Sequence, residues 1–212
     1  RIYAWLGDWP AVAALQHAPM SAVERDRVKW LAANAPARGG ADSAVVALEP
    51  NEAAGFGRIA LAIGGVTLQA DIDPNIEGLL LPSTAEVTGE AQQFGMHDST
   101  SVAVIYSVRI GGVRLTNVSA SLSPSATPAI GLGVLAALTP TFDAGAHTLA
   151  LHQQEPPALG EPLPILLAFP GVKFVARAGQ PPVPMESAAG RAALRGTRWT
   201  FDVRRGAILV QR

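Results

Sequence analysis

The sequence contains no cysteine. That excludes disulfides, zinc–cysteine sites and thiol nucleophiles, and it suits an oxidising compartment and the cytosol alike. Charge is sparse as well: 16% of the residues are charged and the formal net charge is −1. Without a basic block there is no positive footprint for a phosphate backbone, so no nucleic acid is expected as a partner. No apolar run reaches the roughly 18–20 residues that a spanning helix needs, so no membrane span is expected. G-x-S-x-G is absent, which leaves an α/β-hydrolase nucleophile without support. The four histidines, His17, His97, His147 and His152, include no i, i+4 pair, so no metal and no cofactor is expected. The chain opens on Arg1 with no signal-peptide core. The expectation drawn from this is a trimmed N-terminus, and a periplasmic or secreted protein whose targeting segment lies outside this sequence.

What is present is apolar and rich in turn signals. Hydrophobic residues make up 49% of 212, enough to bury a real core. Residues 1–35 read as two helices. Asp8 precedes Trp9-Pro10, and Ala11 to His17 follow as good helix formers. Ser21-Ala22-Val23-Glu24 has capping-box spacing, and Val23, Arg27, Val28, Leu31 and Ala32 follow at helical intervals. Trp5, Trp9 and Trp30 are expected to pack between these helices or against the chain beyond them. Residues 35–43 read as a linker by composition.

From Ala44 onward short β-rich runs alternate with glycine, proline and serine, the texture of a barrel or sandwich. Arg58–Ile63, Val66–Ile72, Val102–Ile110 and Val113–Ala120 are the clearest strands. Ile63-Gly64-Gly65-Val66 recurs as Ile110-Gly111-Gly112-Val113, which reads as two similar hairpins and, more strongly, as a duplicated half-domain. Trp199–Val203 and Ala207–Val210 form a final hairpin around Arg204-Arg205-Gly206. The run Pro156 to Pro164 reads as a linker. Gly131-Leu132-Gly133-Val134-Leu135-Ala136 fits the dinucleotide fingerprint, but no βαβ unit surrounds it, so it reads as structural.

Two segments together resemble the retropepsin-like aspartic proteases. In the first, Gly65 to Asp73 is a strand, Asp73-Pro74-Asn75 comes next, and Leu79-Leu80-Leu81-Pro82 is a short apolar strand. In the second, Ala129-Ile130-Gly131 is followed by Leu132–Leu135, Thr141-Phe142-Asp143 and Thr148–Leu151. The resemblance covers about residues 45–152. It implies an acid-protease barrel with Asp73 at the catalytic position, Gly131 threading beneath the active-site loop, and a flap hairpin over about Gln92 to Val108. Pro74, Asn75, His97, Asp98 and Ser99 would then line the substrate site.

The sequence departs from the family where the chemistry lies. Aspartic proteolysis needs two carboxylates sharing a proton. After Asp73 the family has a hydroxyl and then a glycine; here stand Pro74, with neither hydroxyl nor N–H, and Asn75. The residues before Ala129 are Thr127-Pro128, where the family often has Asp-Gly. Read without the family, Asp-Pro-Asn is a good β-turn.

The expected fold is therefore mainly β: a retropepsin-like acid-protease barrel over 44–152, an N-terminal helical hairpin and linker over 1–43, and a proline-rich linker with a C-terminal β extension over 153–212. The favoured function is a degenerate aspartic-protease-like domain that binds a peptide or protein segment, or serves in assembly. An active homodimeric endopeptidase using Asp73 from each chain is the alternative. A structural β module unrelated to proteases is the third reading.

Overall fold

A computed structural model describes residues 8–15, 19–51, 56–154, 160–167, 172–176 and 180–211. Its first helix starts where a cap and a proline coincide. The Asp8 carboxylate accepts from the Ala11 N–H at 3.1 Å, and Pro10 sits in the first turn, where its missing N–H costs nothing. This helix, α1 (Trp9–Ala13), is shorter than the expected run to His17; residues 16–18 and Trp5 lie outside the described residues. The second, α2 (Ala22–Ala33), opens on a complete capping box. Glu24 N donates to Ser21 Oγ at 3.2 Å, and Ser21 N donates to Glu24 Oε2 at 2.8 Å. Trp9, Val12, Val28 and Leu31 close a small core with Val104.

The chain then lays down β1 (Ala37–Gly40), β2 (Ser43–Ala47), β3 (Arg58–Ile63), β4 (Val66–Asp73) and β5 (Leu79–Pro82). A short helix, α3 (Ala85–Gly89), leads to β6 (Ala91–His97), β7 (Thr100–Ile110), β8 (Val113–Ser123) and β9 (Ala129–Gly131). The period-2 alternation of β3, β4 and β8 points Ile59, Leu61, Ile63, Ala70, Ile72 and Leu122 inward, each at most 1% exposed, and Ile105 and Ile110 of β7, which is buried without alternation over residues 101–105, are as deeply enclosed. Each large aliphatic side chain so buried contributes roughly 1.5–3 kcal/mol before conformational entropy is counted. Six strands, β3, β4, β9, β5, β8 and β7, close a barrel through the β7–β8 and β3–β7 pairings. The protein is mainly β.

The repeated Gly-Gly turns mark a duplication that extends to register. Ile63 pairs with Val66 and Ile110 with Val113 across two-residue loops, and Gly64 and Gly111 take φ of +57° and +58°. The order β3–β4–β5 is repeated as β7–β8–β9. β4 runs parallel to β9, β8 runs parallel to β5, and β5 and β9 pair with each other. Asp73 stands as far past Val66 as Ala120 stands past Val113. Asp73 pairs with Gly131, and Ala120 pairs with Leu79. Ala120 thus occupies the place of Asp73 in the second half, and Leu79 that of Gly131.

After β9 come α4 (Leu132–Ala136), β10 (Thr141–Asp143) and β11 (Thr148–His152), then β12 (Glu161–Leu167), β13 (Val172–Phe174) and β14 (Val183–Pro184). The helix α5 (Ala188–Leu194) and the hairpin β15 (Arg198–Asp202) and β16 (Ala207–Gln211) end the chain. A second sheet runs β14-β13-β12-β16-β15-β10-β11-β2, so the C-terminal strands extend a sheet that includes β10 and β11.

Two stretches that read as linkers are strands. Ala37–Gly40 pairs with Val113–Thr116, using main-chain bonds that composition does not report. Residues 161–164 of the proline-rich run begin β12, with Pro162 opposite Leu209 and Pro164 opposite Ala207. Ile165 N donates to Gly206 O in the β15–β16 turn, so the N–H positions of the neighbouring even residues face away from β16. A missing N–H there breaks no bond to β16, and the strand accepts its prolines.

Candidate functional site

The last residue of β4 and the last of β9 lie side by side. Asp73 pairs with Gly131 in a parallel bridge, and Gly131 N donates to Gly78 O at 2.8 Å. Residues 74–78 therefore lie directly over β9 and the start of α4. A Cβ on Gly131 would fall 2.1 Å from Ile76 O, and one on Gly133 would fall 2.6 Å from Glu77 O. These are backbone atoms that cannot swing aside, so the loop demands glycine at both places. That close approach accounts for the G-x-G-x-x-A pattern without any dinucleotide.

Asp73 is half-buried, and its carboxylate faces its own turn. Asn75 N donates to Asp73 Oδ1 at 2.8 Å, the hydrogen bond of an Asx-turn. Pro74 is buried at the centre of that turn. The Asn75 side-chain oxygen is enclosed with no hydrogen-bond partner among the described residues. Nearby Asp71 is committed too: it accepts from Arg58 Nε at 2.9 Å and from Asn51 Nδ2 at 2.6 Å. The β-turn reading and the threading glycine are thus both present in one loop.

His97, Asp98 and Ser99 sit at the exposed tip of the β6–β7 hairpin, which spans the stretch expected for a flap. Asp98 takes φ +53°, and its carboxylate lies 3.9 Å from His97 Nε2. No described hydrogen bond or ion pair joins these three residues to Asp73. What does pack on the hairpin is α2. Trp30 meets Phe94 edge-on with centroids 6.2 Å apart, and Tyr106 lies 6.5 Å away. A Cβ on Gly95 would touch Val23.

The charges of α2 reach both neighbours. Burial alone would raise the Glu24 pKa; the bonds from Ser21 and the charges of His97 and Arg27 outweigh it and hold Glu24 below its ordinary value of 4.5. Burial pulls the Arg27 guanidinium down from its ordinary value, against the attraction of Glu24 and of Glu77 in the loop after Asp73. Arg27 Nε is enclosed without a hydrogen-bond partner among the described residues. So α2 packs on the hairpin while its Arg27 feels the charge of the acid-bearing loop. The sequence held a signal for this: Arg27 falls on the apolar stripe of the helix, where a charge needs a partner.

The remaining histidines are dispersed. His147 is exposed at the start of β11, and His17 lies outside the described residues. Burial, and then the charge of Arg198, lowers the His152 pKa. Among the described residues no three His, Asp or Glu side chains gather as a metal site, and no helix is long and apolar enough to cross a membrane.

Fold and loop together define a mainly β protein with a closed six-stranded barrel, in which an acid-bearing turn rides over a glycine strand. Among solved structures it is similar to one described as a retropepsin-like aspartic protease from Rickettsia conorii. The likeness covers 55% of this chain and 92% of that one, at 15% identity and a TM-score of 0.38. No family model and no curated protein matches the sequence.

Proposed function

We propose that the barrel is an aspartic-protease-like domain that no longer cuts, and that it holds a peptide or protein segment or serves in assembly. The observation that carries this reading is the Asp73 carboxylate, which accepts the Asn75 N–H of its own turn directly above Gly131. Proteolysis of this type needs a second carboxylate close enough to share a proton. The duplicated half of the barrel supplies Ala120 at the equivalent place, 1% exposed. Of the acids in the C-terminal strands, Asp202 is 2% exposed and bonded to Arg205. The packing of α2 on the β6–β7 hairpin also favours the reading, because it occupies a face that a mobile flap would need free.

The test is incubation with an unfolded protein substrate between pH 3 and pH 6, followed by mass spectrometry. The expected result is intact substrate. Pepstatin-sensitive cleavage that disappears in Asp73→Asn would overturn the proposal and restore the homodimeric endopeptidase. That enzyme in turn requires a two-fold dimer by light scattering, with the Asp73 carboxylates about hydrogen-bond distance apart.

A further inference from the structure

A cavity lies where the C-terminal extension meets the barrel, lined by no residue of the loop after Asp73. Its volume is about 520 Å³, within the range of small-molecule sites. Aromatic rings form the floor. Phe142 stacks on Trp199 with centroids 4.0 Å apart and planes 12° from parallel, and Phe56 meets Trp199 edge-on at 6.0 Å. Leu48 and Leu194 complete the apolar lining. All five side chains are at most 9% exposed, so the floor is packed and fixed.

Among the described residues the charged side chains at the rim are those of Arg191 and Arg195. Arg191 and Arg195 stand at α5 and just after it, and His147 faces them from the barrel side. No acidic residue lines the cavity among the described residues. In a chain of net charge −1, that is a local excess of cationic groups. Arg195 is exposed and has no ion-pair partner among the described residues, and the Arg191 guanidinium donates to the Glu186 carbonyl and to no carboxylate among them. Neither guanidinium is neutralised by a carboxylate among the described residues. His147 is held in place by its backbone: it takes φ +51°, and its carbonyl accepts from Leu48 N at 2.9 Å.

We propose that this cavity binds a small organic anion with an apolar body, the body against Leu48, Phe56 and the edges of the Phe142–Trp199 stack and its carboxylate or sulfonate between Arg191 and Arg195. An apolar body fits an apolar lining, and guanidinium groups bind carboxylates and sulfonates by charge-assisted hydrogen bonds. The site is independent of the proposed function, since it shares no residue with the Asp73 loop.

Two probes with the same aromatic body isolate the charge. 1-Anilinonaphthalene-8-sulfonate carries an anion, and N-phenyl-1-naphthylamine does not. Titrated into the full chain by fluorescence, the anionic probe is expected to bind saturably at one site. In Arg191→Gln/Arg195→Gln its affinity should fall at least about tenfold, the loss of one or two charge-assisted bonds, while the neutral probe changes less than about twofold. Ala144→Trp, an exposed rim position, keeps both arginines and should abolish binding of both probes by filling the mouth. Non-saturable binding, or affinity unchanged in either variant, would overturn the proposal.

Discussion

In the first half of the barrel β4 ends on Asp73 and turns through Pro74 and Asn75; in the second half β8 carries Ala120 at the same step and continues as strand to Ser123. The pairings on either side are equivalent, since Asp73 meets Gly131 and Ala120 meets Leu79, both in parallel. At the paired position itself glycine stands on one side only, although Gly78, next to Leu79, is also pressed against β8, where a Cβ would fall 2.4 Å from Ser119 O. The loop from the first half presses its backbone onto Gly131, whereas the equivalent Leu79 keeps a full side chain, 2% exposed, in the core. Duplicated pairing therefore accounts for the barrel, and it leaves the loops free to diverge. The acid and the loop pressed onto Gly131 belong to the part that diverged.

The largest expected effect tests that tight crossing. Gly131→Ala places a methyl 2.1 Å from Ile76 O and 2.6 Å from Ile76 C, so backbone must move. Overpacking of this kind costs about 3 kcal/mol, a large share of a typical domain's stability. Gly65→Ala, in the hairpin turn of the first half, meets nothing within 4 Å and should stay within about 0.5 kcal/mol of the parent. Urea unfolding of the two variants measures the difference. Equal stabilities would mean that the loop over β9 is no more constrained than an ordinary hairpin turn.

A smaller effect concerns the helix that engages both halves. α2 packs on the hairpin leading into the second half, while Arg27 feels the charge of Glu77 in the first. Its capping box depends on an ionised Glu24, whose folded pKa lies below 4.5. A depressed carboxylate stabilises the folded state above its unfolded pKa, and that stabilisation is lost as pH falls through the folded value. The stabilisation is therefore whole above about 4.5 and drains at lower pH. Thermal midpoints of the parent and Glu24→Gln should differ at pH 6 and converge at pH 3. Ser21→Ala, which removes the reciprocal bond, should cost about 1 kcal/mol at pH 6. Curves that stay parallel between the two pH values would remove Glu24 from the contact between the halves.

How much of this could be read from the residues alone depended on whether the signal was local. Asp8, Ser21 and Glu24 write their caps into adjacent positions, and both helix starts were legible. Arg58–Ile63 alternates cleanly, and its bounds match the observed strand. Ala37–Gly40 and residues 161–164 were not legible, because partners far along the chain make them strands. The helices α3 and α5 hold only 5 and 7 residues, too few for a periodic signal. At the site, the nearness of Asp73 and Gly131 came from the order of motifs. The role of Arg27, and the cavity beside Trp199, combine residues from distant parts of the chain, and no spacing rule joins them.

The smallest expected effect bears most directly on what the divergent loop does. Asp73→Asn keeps the side-chain oxygen that accepts the Asn75 N–H, and asparagine suits an Asx-turn as well as aspartate does. If the carboxylate only closes this turn, the variant should lie within about 0.5 kcal/mol of the parent in urea unfolding. Asp73→Ala, which removes the acceptor, should cost about 1 kcal/mol. A carboxylate kept for chemistry behaves differently, because residues held at a working site are commonly a burden on the fold. Relieving such a burden raises stability, so a gain of more than about 1 kcal/mol in Asp73→Asn would mark Asp73 as a residue retained against its structural cost. That result would place the first half of the barrel apart from the second by function as well as by shape, and the idle acid inferred from the Asx-turn would have to be abandoned.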